Sequence, residues 1–283
     1  MSNSQRREPS ATISVVAPTT PSPQSATGVP SHTAFVRRLT ASVLHLFRPL
    51  LKVNLLGYRS EMSNALFPAG KPEGEVVAPD PPRMLFIGDS GASSYGVLNH
   101  GLGVVSQAAR YVAREHSTGC SWTTITDTEL TMARAVQELP SADLDVDVLV
   151  ILLGAPDVLL GTTARAWSSG LHELISTVRQ GAHPDCPVVV AAIPPMYRFR
   201  AMPRFLHRLM ALQITRLNRA SLTIAETIPG VRYAVYPSLE DCDKFIQANL
   251  NWKNAHSQWG KQVGAATALA LEPHLDRISR TRS

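Results

Sequence analysis

The stretch RMLFIGDSGASSYG, residues 83–96, decides how the fold is interpreted. Residues 83–87 predict a short buried strand, and the chain then turns into Gly88, Asp89 and Ser90, followed by small residues. A serine directly after a buried strand, in a loop of small residues, can meet a substrate closely. Nearby backbone N–H groups can then donate to it. Whether Ser90 is a nucleophile or a turn residue depends on what the rest of the chain builds around it.

The remainder of the body alternates between apolar runs of strand length and amphipathic helical segments. The predicted strands are 83–88, 121–126, 146–154, 187–195 and 230–237. The predicted helices are 102–116, 131–138, 162–180, 203–228 and 258–272. This alternation predicts a three-layer α/β fold with a five-stranded parallel sheet. Sites in such sheets form at the carboxyl ends of the strands, so the segments 88–90 and 154–157 are expected at one edge.

The N-terminal part of the chain differs from the body. Its Ser, Thr and Pro content, with few large apolar residues, predicts a disordered tail without a secretory signal. The prediction for the whole chain is a disordered tail at 1–34, a basic amphipathic helical arm at 35–60, a linker at 61–80, a folded α/β domain at 81–275 and a tail at 276–283.

Residues 34–58 have two interpretations. Basic and apolar residues on one helix are typical of a segment that lies on anionic lipid, but a helix packed on the protein's own body has the same pattern. Pro49 and Lys52 interrupt the apolar run well before a membrane span is complete. We expect a cytoplasmic protein, with peripheral membrane contact through 34–58 as the open alternative.

Charge and cysteine usage exclude some classes of function. Residues 1–60 carry seven Lys or Arg and one acid, whereas the remainder carries 20 basic and 21 acidic residues. The body therefore has no basic surplus that predicts nucleic-acid binding. Three widely spaced cysteines have no metal-ligand spacing and are expected to be reduced. The motif Gly-x-Gly-x-x-Gly is absent after the first strand, and Ala92 stands where an α/β-hydrolase elbow needs glycine.

Four segments together resemble the SGNH (GDSL) hydrolase family of flavodoxin-like serine esterases, lipases and acyl-transferring relatives. They are FIGDSGASSYGV (86–97), VLVILLGAPDVL (148–159), AAIPPMYRFRAMPRFLHRLM (191–210) and FIQANLNWKNAHSQWGKQVGAATALAL (245–271). The resemblance implies that Ser90 is the nucleophile and that its own N–H is one oxyanion donor. It implies His256 as general base, with Gly154 and Asp157 matching the third block and no cofactor required.

The same comparison shows departures from the family pattern. Its oxyanion asparagine falls at Pro156, and its second-block glycine falls at Glu129 or Leu130, where only a backbone N–H could help. Its acid, three residues before the histidine, is Lys253. Four substitutes stay open, together with His100 as an alternative base: Asp241 or Asp243 for the acid, and Thr126 or Thr128 for the oxyanion donor.

Two hypotheses follow. The first is a serine-dependent hydrolase of the esterase or lipase type, or an acyltransferase, acting on small-molecule or lipid acyl esters through an acyl-enzyme on Ser90. The alternative is a catalytically degraded SGNH fold that binds a lipid, glycan or protein partner. In either case we expect Asp89 to pin the loop and Asp157 to cap the helix after the third strand.

Overall fold

A computed structural model of the chain describes residues 48–198, 203–237 and 252–282. Its centre is a six-stranded sheet. The strands are β1 (Gly74–Val76), β2 (Arg83–Gly88), β3 (Cys120–Thr126), β4 (Val148–Leu152), β5 (Val188–Ala191) and β6 (Val231–Ala234). They lie in the spatial order β1-β3-β2-β4-β5-β6. All neighbours are parallel except β1, which runs antiparallel to β3 at the edge. The five predicted parallel strands are confirmed.

Helices cover both faces of the sheet, so the predicted three layers are confirmed as well. The helices are α1 (Arg48–Asn64), α2 (Val104–Glu115), α3 (Met132–Glu138), α4 (Ala155–Leu160), α5 (Ala164–Gly181), α6 (Arg204–Thr227) and α7 (Trp252–Arg282). One apolar core contains side chains of α1, α3, α4, α5 and α6, and the other contains side chains of α2 and α7. In β2, Leu85 and Ile87 enter the first core, whereas Met84 and Phe86 enter the second. This double burial explains the unbroken apolar runs of the strands.

The predicted linker at 61–80 is partly wrong, because it contains the end of α1 and the strand β1. A three-residue strand carries almost no periodic signal, so the sequence did not reveal it. Its place depends on contact with β3: a Cβ on Gly74 would lie 2.6 Å from the ring of Trp122. The Trp122 indole N–H also donates to the carbonyl of Pro72 at 2.8 Å.

Helix α1 packs on the protein's own body. Leu51, Leu55, Tyr58 and Met62 recur at helical spacing and are buried in the first core. For residues 48–58, the structure therefore supports packing on the body. On the opposite side, Leu50, Val53 and Leu56 are exposed. Lipid contact through 34–58 stays a prediction, and residues 34–47 and the predicted tail at 1–34 lie outside the described residues.

Helix α7 begins six residues earlier than the predicted start at 258 and continues to Arg282, through most of the predicted tail. His256, Trp259 and Val263 recur at helical spacing and are buried. Lys253 and Asn254, which lie between Trp252 and His256, are polar. The sequence therefore does not show that the helix already begins at Trp252. His256 is therefore inside the helix rather than ahead of it.

Two further features bear on the sequence predictions. No helix in the described part of the chain combines the length and apolarity that crossing a membrane requires. Cys120 and Cys186 are buried free thiols, and Cys242 lies outside the described residues.

The strand order places a topological switch between β2 and β4. From β2 the chain passes to β3 on one side, and then to β4 on the other. Gly88 at the end of β2 pairs with Leu152 at the end of β4. The two following loops therefore emerge side by side, as predicted, at the place where doubly wound sheets bind ligands.

Candidate active site

The loop after β2 folds into a compact turn. The backbone N–H and the hydroxyl of Ser93 both donate to the carbonyl of Asp89, at 3.0 and 3.1 Å. The Tyr95 N–H donates to the Ser90 carbonyl at 3.1 Å. A Cβ on Gly88 would lie 2.3 Å from the Cβ of Ala92, so the tight turn requires small residues. Ser90 is half-buried and lies at the start of this turn. Its own N–H has no partner among the described residues.

Asp89 ties this turn to the loop after β4. Its Oδ2 accepts from the N–H groups of Gly154 and Ala155, at 2.9 and 2.8 Å, and its Oδ1 accepts from the Gly91 N–H at 3.2 Å. Burial raises the pKa of this carboxyl to about 6, although the three hydrogen bonds favour the charged form. Asp89 therefore pins the loop, and its oxygens are occupied by backbone groups.

The loop after β4 has a special backbone. Gly154 has a φ of 147°, and a Cβ there would lie 2.4 Å from the side chain of Ile193. Glycine is thus required both by conformation and by space. Pro156, in the first turn of α4, has neither a side-chain amide nor an N–H. This loop consequently offers no donor at the position where the family has asparagine.

Asp157 has a structural role different from the predicted one. Its Oδ2 accepts from the Met132 N–H at the start of α3, at 2.8 Å, and its Oδ1 accepts from the Thr162 hydroxyl at 2.7 Å. The prediction that Asp157 caps the helix after the third strand was wrong, because Thr163 is the N-cap of α5 and Asp157 lies inside the short helix α4. A residue in the first turn of α4 faces the neighbouring α3, and there it satisfies a free N–H of that helix.

His256 lies on the wall of the same pocket as Ser90, but backbone groups hold both of its ring nitrogens. Nδ1 accepts from the Val104 N–H at the start of α2, at 3.2 Å. Nε2 therefore carries the proton, and donates it to the Tyr95 carbonyl at 2.8 Å. Burial lowers the pKa of this imidazole, so the ring is neutral near pH 7. No histidine of the described residues hydrogen-bonds to the Ser90 side chain.

In the segment after β3, where the family has its second oxyanion donor, backbone N–H groups are also engaged in hydrogen bonds within the segment. Asp127 accepts from the N–H of Glu129 at 2.7 Å and from that of Leu130 at 2.9 Å. The N–H groups of Glu129 and Leu130, which the sequence offered as oxyanion donors, are therefore both already hydrogen-bonded. The carbonyl of Thr128 accepts from the Tyr58 hydroxyl at 2.6 Å.

A cleft of about 100 Å³ opens beside Ser90. Its polar lining residues are Glu61, Asp89, Ser90 and His256. The walls are aromatic and aliphatic: Tyr58, Met62, Tyr95, Leu152, Leu153, Pro194, Met196, Tyr236, Trp252 and Trp259. The mostly apolar wall suits a hydrophobic ligand.

The remaining sequence candidates lie elsewhere. His100 interacts through its ring nitrogens with the Ser94 hydroxyl and the Gly70 carbonyl, at 3.1 and 3.2 Å, and is absent from the cleft wall. Asp241 and Asp243 lie outside the described residues. Within the described ranges, no group of three or more His, Cys, Asp or Glu side chains is arranged to hold a metal ion.

Sequence reasoning missed two residues of the cleft. Tyr58 comes from α1, some thirty residues before the nucleophile block, and lines the same cleft as Ser90. The indole N–H of Trp259 is buried and has no partner among the described residues. Helical periodicity marks both residues as buried, but a single sequence does not show what a buried side chain contacts.

Comparison with known proteins identifies the family of this chain. The model of the GDSL-like lipase/acylhydrolase family matches residues 86–261, so the chain belongs to this family. Three solved structures are similar to it. TesA is 20% identical with a TM-score of 0.45, covering 68% of this chain and 98% of that one. The esterase EstA from Pseudoalteromonas sp. is 17% identical with a TM-score of 0.48, covering 67% and 98%. The acetylxylan esterase Axe2 from Geobacillus stearothermophilus is 12% identical with a TM-score of 0.45, covering 68% and 94%. The search of curated proteins found no match.

Proposed function

We propose that the protein is a carboxylic ester hydrolase that uses the Ser90 hydroxyl as nucleophile and forms an acyl-enzyme. The observation that carries this proposal is the position of Ser90 in the lining of a mostly apolar cleft at the switch between β2 and β4. Its N–H, which has no partner in the part of the chain that the structure describes, can donate to an oxyanion that forms on the attacked carbonyl. Membership of a family of lipases and acylhydrolases supports the same chemistry.

The reaction requires a base, and His256 is the histidine on the cleft wall. The Ser90 proton passes to an imidazole nitrogen while Oγ attacks the ester carbonyl carbon. The tetrahedral intermediate collapses, and the alcohol leaves with that proton. Water then attacks the acyl-enzyme and releases the acid. Because Tyr95 and Val104 hold the ring, it must first release one of these backbone partners. We therefore expect slow turnover.

The cleft wall supports an ester with an apolar acyl chain as substrate. Each methylene transferred from water to such a wall contributes about 0.8 kcal/mol. A series of esters with longer acyl chains should thus show a KM that falls about threefold to fourfold per methylene until the cleft is full. The same acyl-enzyme could pass its acyl group to an alcohol instead of water, which would make the protein an acyltransferase.

A second function has an observation in its favour. Both nitrogens of His256 are used by the backbone, and Pro156 removes the family's oxyanion amide. In serine hydrolases, the loss of one oxyanion donor typically costs about 10²–10³ in rate. A protein that binds an apolar acyl compound in the cleft without turning it over would have the same arrangement.

Hydrolysis of p-nitrophenyl esters, from acetate to octanoate, separates the two functions. We expect slow hydrolysis by the wild type, and a fall of at least 10³-fold in kcat for Ser90→Ala. Ser93→Ala is the matched control, because it removes a hydroxyl from the same turn that does not face the cleft. Equal background hydrolysis by all three proteins, with calorimetric binding of octanoate to the wild type, would establish the second function instead.

A further inference from the structure

The phenol of Tyr58 stands between the Ser90 turn and the segment after β3. Tyr58 is only 5% exposed, lies on the cleft wall, and donates its hydroxyl proton to the Thr128 carbonyl at 2.6 Å. Ser90 lines the same cleft and lies close enough to the phenol to influence its pKa.

Tyr58 keeps its proton throughout the neutral pH range. Burial raises the pKa of the phenol, and the charges of Asp89, Glu129 and Glu61 raise it further. The Ser90 side chain lowers it, but does not reverse the shift. A phenol in this environment cannot accept the Ser90 proton as a base, but it is a permanent O–H donor.

Few backbone donors near Ser90 are left for an oxyanion. The N–H groups of Gly154 and Ala155 are bound to Asp89, and those of Glu129 and Leu130 are bound to Asp127. Pro156 contributes none. A tetrahedral intermediate on Ser90 needs preorganised donors around its negative oxygen, and one N–H supplies only part of this stabilisation.

We infer that Tyr58 is the second oxyanion donor, which takes over the role of the amide that Pro156 lacks. This inference rests on the proposed function. When Ser90 attacks, the phenol O–H turns from the Thr128 carbonyl to the new oxyanion, a rotation about one C–O bond. The charged oxygen is the stronger acceptor of the two. The proton stays on the phenol, and it returns to Thr128 when the intermediate collapses.

Helix α1 is held where this role needs it. Leu51, Leu55 and Met62 anchor it in the first core, and Arg59 forms an ion pair with Glu129 at 2.8 Å. The partner Glu129 directly follows Thr128, so the helix is attached to the same segment that accepts from the phenol. An N-terminal helix outside the family match at 86–261 thereby completes the site.

The test is the kcat and KM of Tyr58→Phe with p-nitrophenyl butyrate. We expect kcat to fall by about 10²–10³, with KM within twofold of wild type, because the lost donor acts only on the transition state. Tyr233→Phe is the matched control: it removes a half-buried phenol hydroxyl on β6 that does not line the cleft, and kcat should persist. Replacement of Tyr58 by 3-fluorotyrosine retains the donor and should restore kcat to within a few-fold.

Three results would overturn the inference. Unchanged kcat in Tyr58→Phe would remove the donor role, and increased kcat would make the phenol an obstruction. A fall in kcat that 3-fluorotyrosine does not restore would reduce Tyr58 to a packing residue. Failure of the proposed function looks different: there, Ser90→Ala hydrolyses the ester as fast as the wild type, whatever residue stands at 58.

Discussion

The loops after β2 and β4 are neighbours at the same edge of the sheet, yet they use their polar groups in opposite ways. In the loop after β2, Ser90 faces the cleft with its hydroxyl, and its N–H has no partner among the described residues. In the loop after β4, the N–H groups of Gly154 and Ala155 are bound to Asp89, and Asp157 holds Met132 and Thr162. The loop after β2 offers groups that can react with a substrate, whereas the loop after β4 holds the loop after β2 in place.

This difference shows how a family site can be altered without loss of its architecture. Asp89 accepts hydrogen bonds from Gly154 and Ala155 and so links the two loops, although Pro156 supplies no donor. In our proposals the missing donor comes from α1, and the base comes from α7. The variants below therefore separate the two roles: substitutions at Gly154 and Asp89 are expected to change stability, and an amide at residue 156 is expected to change turnover.

The largest effect on stability is expected from Gly154→Ala in the loop after β4. A backbone φ of 147° is strained for any L-residue, and the new methyl group would lie 2.4 Å from Ile193. Strain and overpacking together should lower the free energy of unfolding by about 3–5 kcal/mol, measured by urea denaturation. Gly70→Ala is the control, since its φ of 84° is also positive but no atom lies within 4 Å of the new Cβ. Equal losses for both variants would contradict the tight contact.

The next effect is the pH dependence that Asp89 confers on stability. Its pKa is about 6 in the folded protein and ordinarily 3.8, so between these values the folded state binds the extra proton. The contribution of Asp89 is therefore largest below pH 4, and falls by about 3 kcal/mol as the pH rises to 6. The difference in unfolding free energy between wild type and Asp89→Asn should decrease over this window. A difference that grows with pH would show that Asp89 is stabilised as a carboxylate instead.

The smallest expected effect is a gain from Pro156→Asn, which returns an amide to the family position. We expect kcat to increase about tenfold, less than the 10²–10³ of a well-placed donor, because residue 156 is absent from the cleft wall. Pro156→Ala removes the ring without adding an amide, and serves as the comparison in the same ester assay. Equal kcat values for the two variants would mean that the loop after β4 only supports the loop after β2 and does not assist turnover.

The fold was predictable because the buried strands are unusually plain in the sequence. In β2 and β4, residues of both faces enter apolar cores, and this leaves continuous runs that end at glycine. The elements that escaped prediction are those whose stability depends on distant partners. Strand β1 needs Trp122, and the first turns of α7 are masked by exposed polar residues between buried ones.

The candidate site was predictable only as far as the motif residues. Ser90, Asp89 and Gly154 follow directly from the small-residue breaks after β2 and β4, and the structure brings them together, whereas Asp157 binds Met132 and Thr162. The partners of these residues were not predictable. That His256 caps α2 and Tyr58 reaches Ser90 depends on how helices separated by many residues pack on the sheet. A single sequence contains no direct signal for such contacts.

The most direct test of Ser90 as nucleophile is the intact mass of the folded protein after incubation with an alkyl fluorophosphonate. The serine oxygen would attack phosphorus and displace fluoride, leaving one stable phosphonyl group. Our account predicts a single adduct in the wild type, located on Ser90 by peptide mapping, and none in Ser90→Ala. A folded wild type that stays unmodified, or carries the group on another residue, would contradict it.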